Sequence, residues 1–186
     1  MSIIIKVDVK NAFNTLDRAS FLEKISTECP QAFNLMRKAY GFSSPLFFGS
    51  SKIFSCTGLH QGDPMASFSF ALAINSFING IISPFNVWYL DDGTIGGKLE
   101  QVLRDVSEIE RNLSSIGLCL NPQKCEVSIL GNPPLVTRQN MLSRVRLIMP
   151  GISETPIGDL TLLGSPIGVQ SLDVSIQLCS RKVKLA

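Results

Sequence analysis

Apolar positions along the chain alternate between two rhythms. Ile3, Ile4, Ile5 and Val7 form a β-branched run that predicts a strand over residues 3–8. Phe21, Leu22 and Ile25 then recur at helical spacing behind Asp17, so a helix capped by Asp17 is expected from Arg18 to about Glu28. Cys29-Pro30 breaks it. Pro30 suits the first position of a second helix, which runs to Tyr40 and ends at Gly41. Residues 45–49 and 52–57 read as a hairpin around Ser50-Ser51, and residues 58–63 as a loop. Pro64 opens a helix expected to reach about Ile81. A strand over 85–90, a turn at Asp91-Asp92-Gly93 and a strand over 94–97 follow.

The clearest stripe is Leu99, Val102, Leu103, Val106, Ile109, Leu113 and Ile116, one apolar face of a long helix. Glu100 and Arg104 form an i,i+4 pair on its outer side, and Gly117 is a natural C-cap. A strand over 124–130 comes next. Residues 131–158 carry no clear period beyond the loop signal Gly131-Asn132-Pro133-Pro134, and a strand over 160–163 leads into a turn at Gly164. Strands interspersed with helices, without regular βαβ alternation, predict an α+β domain whose antiparallel sheet is packed by helices.

Composition narrows this. A chain of 186 residues suits one domain, and 45% hydrophobic with 17% charged residues describes a globular chain that buries a core. The net charge of +2 is no overall signature for nucleic acid. Its distribution says more: residues 64–130 hold four basic and seven acidic side chains, residues 1–63 seven and five, residues 131–186 six and three. An acidic centre between more basic ends suits a metal site. The solvated face of one helix explains Glu100, Asp105, Glu108 and Glu110 equally well. Cys29, Cys56, Cys119, Cys125 and Cys179 form no C-x-x-C pair, which argues for free thiols in a reducing compartment, with Cys125 buried in a strand. No charge lies between Asp63 and Asp91, but Ser67, Ser69, Asn75, Ser76, Asn79 and Asn86 make that stretch too polar for a bilayer span. No signal-peptide pattern opens the chain. An intracellular protein, in cytoplasm or nucleus, with no membrane partner is expected.

The candidate chemistry lies at two strand ends. Val87-Trp88-Tyr89-Leu90 runs into Asp91-Asp92-Gly93, and Ile3 to Val7 runs into Asp8. Adjacent carboxylates repel and raise each other's pKa, and a divalent cation with oxygen ligands relieves them. Paired strands lie about 5 Å apart, so Asp8 beside Asp91 and Asp92 would make a cage for two ions roughly 4 Å apart. A polar hairpin turn and a strand-terminal Asp explain each feature singly.

Five motifs in one order decide between these readings: Asp8 with Phe13 five positions on; Gly58-Leu59-His60-Gln61-Gly62-Asp63-Pro64; Tyr89-Leu90-Asp91-Asp92; Gly117-Leu118-Cys119-Leu120-Asn121-Pro122-Gln123-Lys124-Cys125; and Leu162-Leu163-Gly164-Ser165-Pro166-Ile167-Gly168. This series resembles the palm of reverse transcriptases, especially those of non-LTR retrotransposons. It implies a palm over residues 1–168, with 169–186 a remnant leading toward a thumb and the fingers largely missing.

The resemblance also implies roles. Asp8 and Asp91 would ligate two Mg²⁺ ions, which Mn²⁺ can replace, with Val9 lending its carbonyl and Asp92 as a weaker third carboxylate. Phe13 would lie beneath the incoming sugar and reject a ribose 2′-hydroxyl, which disfavours a related RNA polymerase. Gln61 and Gly62 would meet the nucleotide and template, and Lys124 would assist pyrophosphate departure. Tyr89 would pack near the primer terminus, and Leu162 to Gly164 would grip the primer, so Leu163 and Gly164 join the primer-binding set. Implied partners are an RNA or DNA template with primer, and deoxynucleoside triphosphates. His60 is the only histidine, so no histidine-rich metal site exists. The sequence departs from many relatives at Asn14, where Asp is common, and at Ala66-Ser67, where Gly-Pro is common. Two function classes follow: an RNA-directed DNA polymerase, or an inactive retroelement remnant or domesticated nucleic-acid-binding module. The intact Asp8, Asp91, Asp92 and Gln61-Gly62 favour the first.

Overall fold

Strict alternation of buried and half-buried positions runs through the first strand, β1 (Ser2–Asp8), as a sheet with one covered face requires. The structure is a computed structural model that describes residues 1–163, 165 and 166. Its elements continue with α1 (Ala12–Thr15), α2 (Arg18–Glu28), α3 (Pro30–Tyr40), β2 (Ser44–Phe48), β3 (Ser51–Ser55), α4 (Ala66–Asn79), β4 (Phe85–Tyr89), β5 (Asp92–Lys98), α5 (Leu99–Ser115), β6 (Glu126–Ile129), α6 (Leu135–Ile148), β7 (Ser153–Glu154), β8 (Thr161–Leu162) and β9 (Ser165–Pro166). The described chain forms two compact units, one of residues 1–8, 82–107 and 121 onward, the other of residues 9–81 and 108–120.

The first unit is built on a five-stranded sheet in the order β4-β5-β1-β6-β7. Its strand pairs are antiparallel except β6 with β7, which run parallel. Ile3, Ile5, Val7, Ile95, Val127 and Ile129 are buried and share one face by their register. Ile4, Lys6 and Asp8 occupy the other. The second unit gathers α1 to α4 and the β2–β3 hairpin around Leu16, Phe21, Ile25, Met36, Tyr40 and Phe70, with α2 packed on both α3 and α4. Asp17 caps α2 as expected, accepting the Ser20 N–H at 2.8 Å.

Several sequence expectations shift. The turn between β4 and β5 is Leu90-Asp91, so Asp92 and Gly93 already belong to β5. The β2–β3 hairpin slides by a residue and turns at Gly49-Ser50. The helix expected from Pro64 begins at Ala66. Helix α6 stood in the unreadable stretch. Leu135, Val136 and Leu147 point outward on it, which blurs the apolar stripe that marks a helix. Lys124 lies in the turn before β6 rather than on the strand. Glu100 is held bidentately by Arg144 of α6, at 2.5 and 2.7 Å, a partner its own helix does not supply. Gly164 and residues 167–186 lie outside the described residues. No helix among the described residues is long and apolar enough to cross a membrane.

Candidate active site

In the first unit, sheet register brings the carboxylates together. Asp8 ends β1 directly opposite Asp92, which opens β5, and Tyr89 lies opposite Asp92 on the far side. The next row on the same face is Val87, Thr94, Lys6 and Glu126. Asp91 sits in the turn beside this pair, after Leu90, whose φ of +56° is the left-handed conformation a two-residue connection needs.

Gly93 is required by packing rather than by the turn. It pairs with Trp88 across the hairpin, and a Cβ there would fall 2.6–2.7 Å from atoms of the indole ring. The tryptophan lies flat over the glycine, and its Nε1–H donates to Asn86 Oδ1 at 2.9 Å. At the other end of β4 from this turn, Asp105 of α5 fixes the approach to the strand. This buried carboxylate accepts the Ser83 N–H at 2.8 Å, the Ser83 hydroxyl in a short bond, and the Ile82 N–H at 3.4 Å. It is a structural cap, not part of a solvated helix face.

The backbone of Asp8 is held as well. Its carbonyl accepts the Asn121 N–H at 2.9 Å, and its N–H donates to the Cys125 sulfur at 3.3 Å. Cys125 is buried as expected, and burial pushes its thiol up to about 11.

Electrostatics favour a cation here. Burial raises the Asp92 pKa; Lys6 works against the rise, while Asp91, Asp8 and Glu126 add to it by like-charge crowding. Hard oxygen donors of one sign fit Mg²⁺ or Mn²⁺ in kind. Asp8 and Asp92 face each other across the strand pair, and Asp91 adjoins them in the turn. Among the described residues no group of three acidic, histidine or cysteine side chains is posed closely enough to form a finished cage.

In the second unit, Phe13 stands on α1, half-buried. Its ring stacks on Phe70 of α4 with centroids 4.9 Å apart and planes 18° apart. Phe70 is fully buried and thereby sets the plane of the Phe13 ring, a role no motif announced. Gln61 and Gly62 are both exposed at the tip of the loop before α4. Gly62 has a φ of +90°, which side-chain-bearing residues avoid. The loop borders a groove of about 650 Å³, lined among others by Asn14, Leu46, Phe54, Thr57, His60 and Gln61. Val9 is buried and bridges Leu120.

The remaining sequence candidates belong to the first unit. Lys124 is exposed, Tyr89 is 63% exposed, and Leu163 is exposed with a φ of +49° in the turn after β8.

Comparison with known proteins adds the family. Among solved structures, an apo telomerase from Candida tropicalis, truncated from its C-terminal domain, is similar over 72% of this chain and 31% of its own, at 13% identity and a TM-score of 0.48. The chain thus spans about a third of that protein's length. No curated protein sequence matches significantly. The profile of the family described as reverse transcriptase (RNA-dependent DNA polymerase) matches residues 1–160. By that match, spanning both units and every strand from β1 to β7, the chain belongs to the reverse transcriptase family.

Proposed function

We propose that the chain is the palm of an RNA-directed DNA polymerase of the non-LTR retrotransposon type, which joins deoxynucleotides to a primer 3′-hydroxyl. The observation that carries this reading is the placement of Asp8 opposite Asp92, with Asp91 in the adjoining turn, in a chain of this family. Asp8, Asp91 and Asp92 would hold two divalent ions, with the Val9 carbonyl as a further ligand. When bound, Mg²⁺ or Mn²⁺ supplies acidification of the 3′-hydroxyl and charge neutralisation on the triphosphate.

The rest of the work falls to residues that bind and orient. Phe13, backed by Phe70, presents a flat ring that excludes a ribose 2′-hydroxyl. Gln61 and Gly62 take the nucleotide and template, the glycine allowing close approach. Lys124 offers an exposed cation toward departing pyrophosphate, and Tyr89, Leu163 and Gly164 contact the primer. Affinity for template–primer comes mainly from phosphate neutralisation, so a net charge of +2 implies weak binding.

Primer extension on an RNA template with deoxynucleotides and Mg²⁺ or Mn²⁺ tests the reading. Asp91→Ala is expected to lower extension roughly a thousandfold or more, the scale of a lost metal contribution. A parallel Mn²⁺ titration followed by electron paramagnetic resonance should show binding to the unsubstituted chain and its weakening in Asp8→Asn. Metal and nucleic-acid binding without extension would instead favour a domesticated binding module.

A further inference from the structure

Arg18 opens α2 yet is only 6% exposed. A buried guanidinium is normally paired with a carboxylate. Here its N–H groups go to neutral oxygens instead: Nη1 reaches the Phe42 carbonyl at 3.4 Å, and the other bonds all go to residues 55–58. Nε donates to the Gly58 carbonyl at 3.0 Å, Nη1 to the Ser55 carbonyl at 2.8 Å, and Nη2 to the Thr57 carbonyl at 3.2 Å and the Ser55 hydroxyl at 2.8 Å. These acceptors lie on the path from β3 into the loop that carries Gln61. The guanidinium carbon also lies 5.4 Å from the centroid of the Tyr40 ring, an attractive cation–π geometry.

Tyr40 continues the chain of contacts. Its hydroxyl donates to Asp63 Oδ2 in a very short bond and accepts the His60 N–H at 3.1 Å, while the His60 ring lies 5.0 Å from its own. Asp63 Oδ1 accepts the Met65 N–H at 2.8 Å, just ahead of α4. Leu59 donates its N–H to the Phe13 carbonyl at 2.6 Å. The loop is therefore fastened at Gly58, Leu59, His60 and Asp63, and the two residues left exposed between those anchors are Gln61 and Gly62. A phenylalanine would fill the space of the Tyr40 ring; the hydroxyl serves the loop.

We propose that Arg18, Tyr40 and Asp63 are positioning residues that hold the 58–63 loop in the pose in which Gln61 and Gly62 meet a nucleotide. What the loop binds rests on the polymerase reading above; how it is held rests on the contacts within this unit. None of the three touches substrate in this scheme. They act through the loop, so their loss should weaken nucleotide capture more than turnover.

Amide hydrogen exchange and steady-state primer extension on the whole chain test this, with Tyr40→Phe and Arg18→Lys. In Tyr40→Phe the His60 amide loses its acceptor and should exchange about fivefold faster, the value of one hydrogen bond, while Ile5 and Ile95 of the sheet stay unchanged. The KM for deoxynucleotide should rise about fivefold with kcat within about twofold. Arg18→Lys keeps the charge but loses the fork, and should give the same pattern. Combined, the two should change KM by less than the product of the single effects, because they act on one loop. Unchanged exchange at His60 in Tyr40→Phe overturns the network. Faster exchange with an unmoved KM, or a fall in thermal stability alone, overturns the positioning role and leaves Tyr40 a structural residue. An unsubstituted chain that extends no primer fails the polymerase reading, and the His60 exchange then still decides whether the loop is held as proposed.

Discussion

Two short polar loops carry the candidate chemistry, and they are held by opposite means. The Leu90-Asp91 turn is fixed by backbone pairing: Tyr89 opposite Asp92 on one side, Asp8 opposite Asp92 on the other. The 58–63 loop has no ladder. Main-chain bonds tie only its start, from Gly58 to Leu16 and from Leu59 to Phe13, and beyond them it hangs on the side chains of Arg18, Tyr40 and Asp63. Sheet register tolerates almost any side chain that fits the pleat, so the first loop is robust to exchange except where two chains touch. A loop held by side chains fails when one functional group is removed.

The largest effect should come from the one place where the first loop depends on a side chain's absence. Gly93→Ala puts a Cβ 2.6–2.7 Å from the Trp88 ring, inside any real contact. Overpacking of this kind costs about 1–3 kcal/mol, to be read from urea unfolding. Replacing the ring should relieve it: Trp88→Leu together with Gly93→Ala should recover most of the loss, and the double-mutant cycle measures how much. Equal loss in both backgrounds would mean that the glycine serves the backbone and not the indole.

The same contrast explains what was legible in the sequence. Strand β1, the Asp17 cap and the stripe of α5 follow from periodicity and capping chemistry, which are local; the Asp8–Asp91–Asp92 grouping came from the order of five motifs, because each strand end alone reads equally well as a turn. Gly93 was assigned to the turn because Asp-Gly is good turn chemistry; its true reason, the ring of Trp88, is a cross-strand contact that register reveals. Asp105 was placed among solvated acids because its partners, Ile82 and Ser83, are remote in sequence. Arg18, Tyr40 and Asp63 were each explained locally, as a helix start, a helix end and a loop end. Their shared function spans residues far apart along the chain, where no period reaches. Helix α6 was missed for a different reason, its outward Leu135, Val136 and Leu147.

Alkaline pH should separate the two loops. Burial raises the Tyr40 pKa from 10.0 to about 12, and its hydrogen bond to Asp63 adds to the rise. The unfolded chain releases this proton near 10 while the folded chain keeps it. The stability Tyr40 contributes is therefore complete below pH 10 and is lost as pH rises toward 12. Melting temperature against pH should fall more steeply over that window in the unsubstituted chain than in Tyr40→Phe. The protection factor at His60, with the base-catalysed intrinsic rate divided out, should fall before that in β1. Identical slopes would show that the hydroxyl is not held as the contacts indicate.

The smallest effect sharpens the comparison from the other side. Asp92 has a raised pKa, first through burial and then through Asp91, Asp8 and Glu126. The folded state therefore binds more protons than the unfolded one above the ordinary carboxylate pKa of 3.8, and its stability falls as pH rises through that window. At neutral pH the ionised group works against the fold, so Asp92→Asn should stabilise the metal-free chain, by less than about 1 kcal/mol because solvent screens a partly exposed site. Added Mg²⁺ should raise the melting temperature of the unsubstituted chain and much less that of Asp92→Asn, since a ligand stabilises only the state that binds it. Stabilisation by the substitution together with loss of the Mg²⁺ response would mean that backbone register holds this turn against its own charge. A destabilised Asp92→Asn would mean that the carboxylate is a structural partner, and that the first loop, like the second, depends on a side chain.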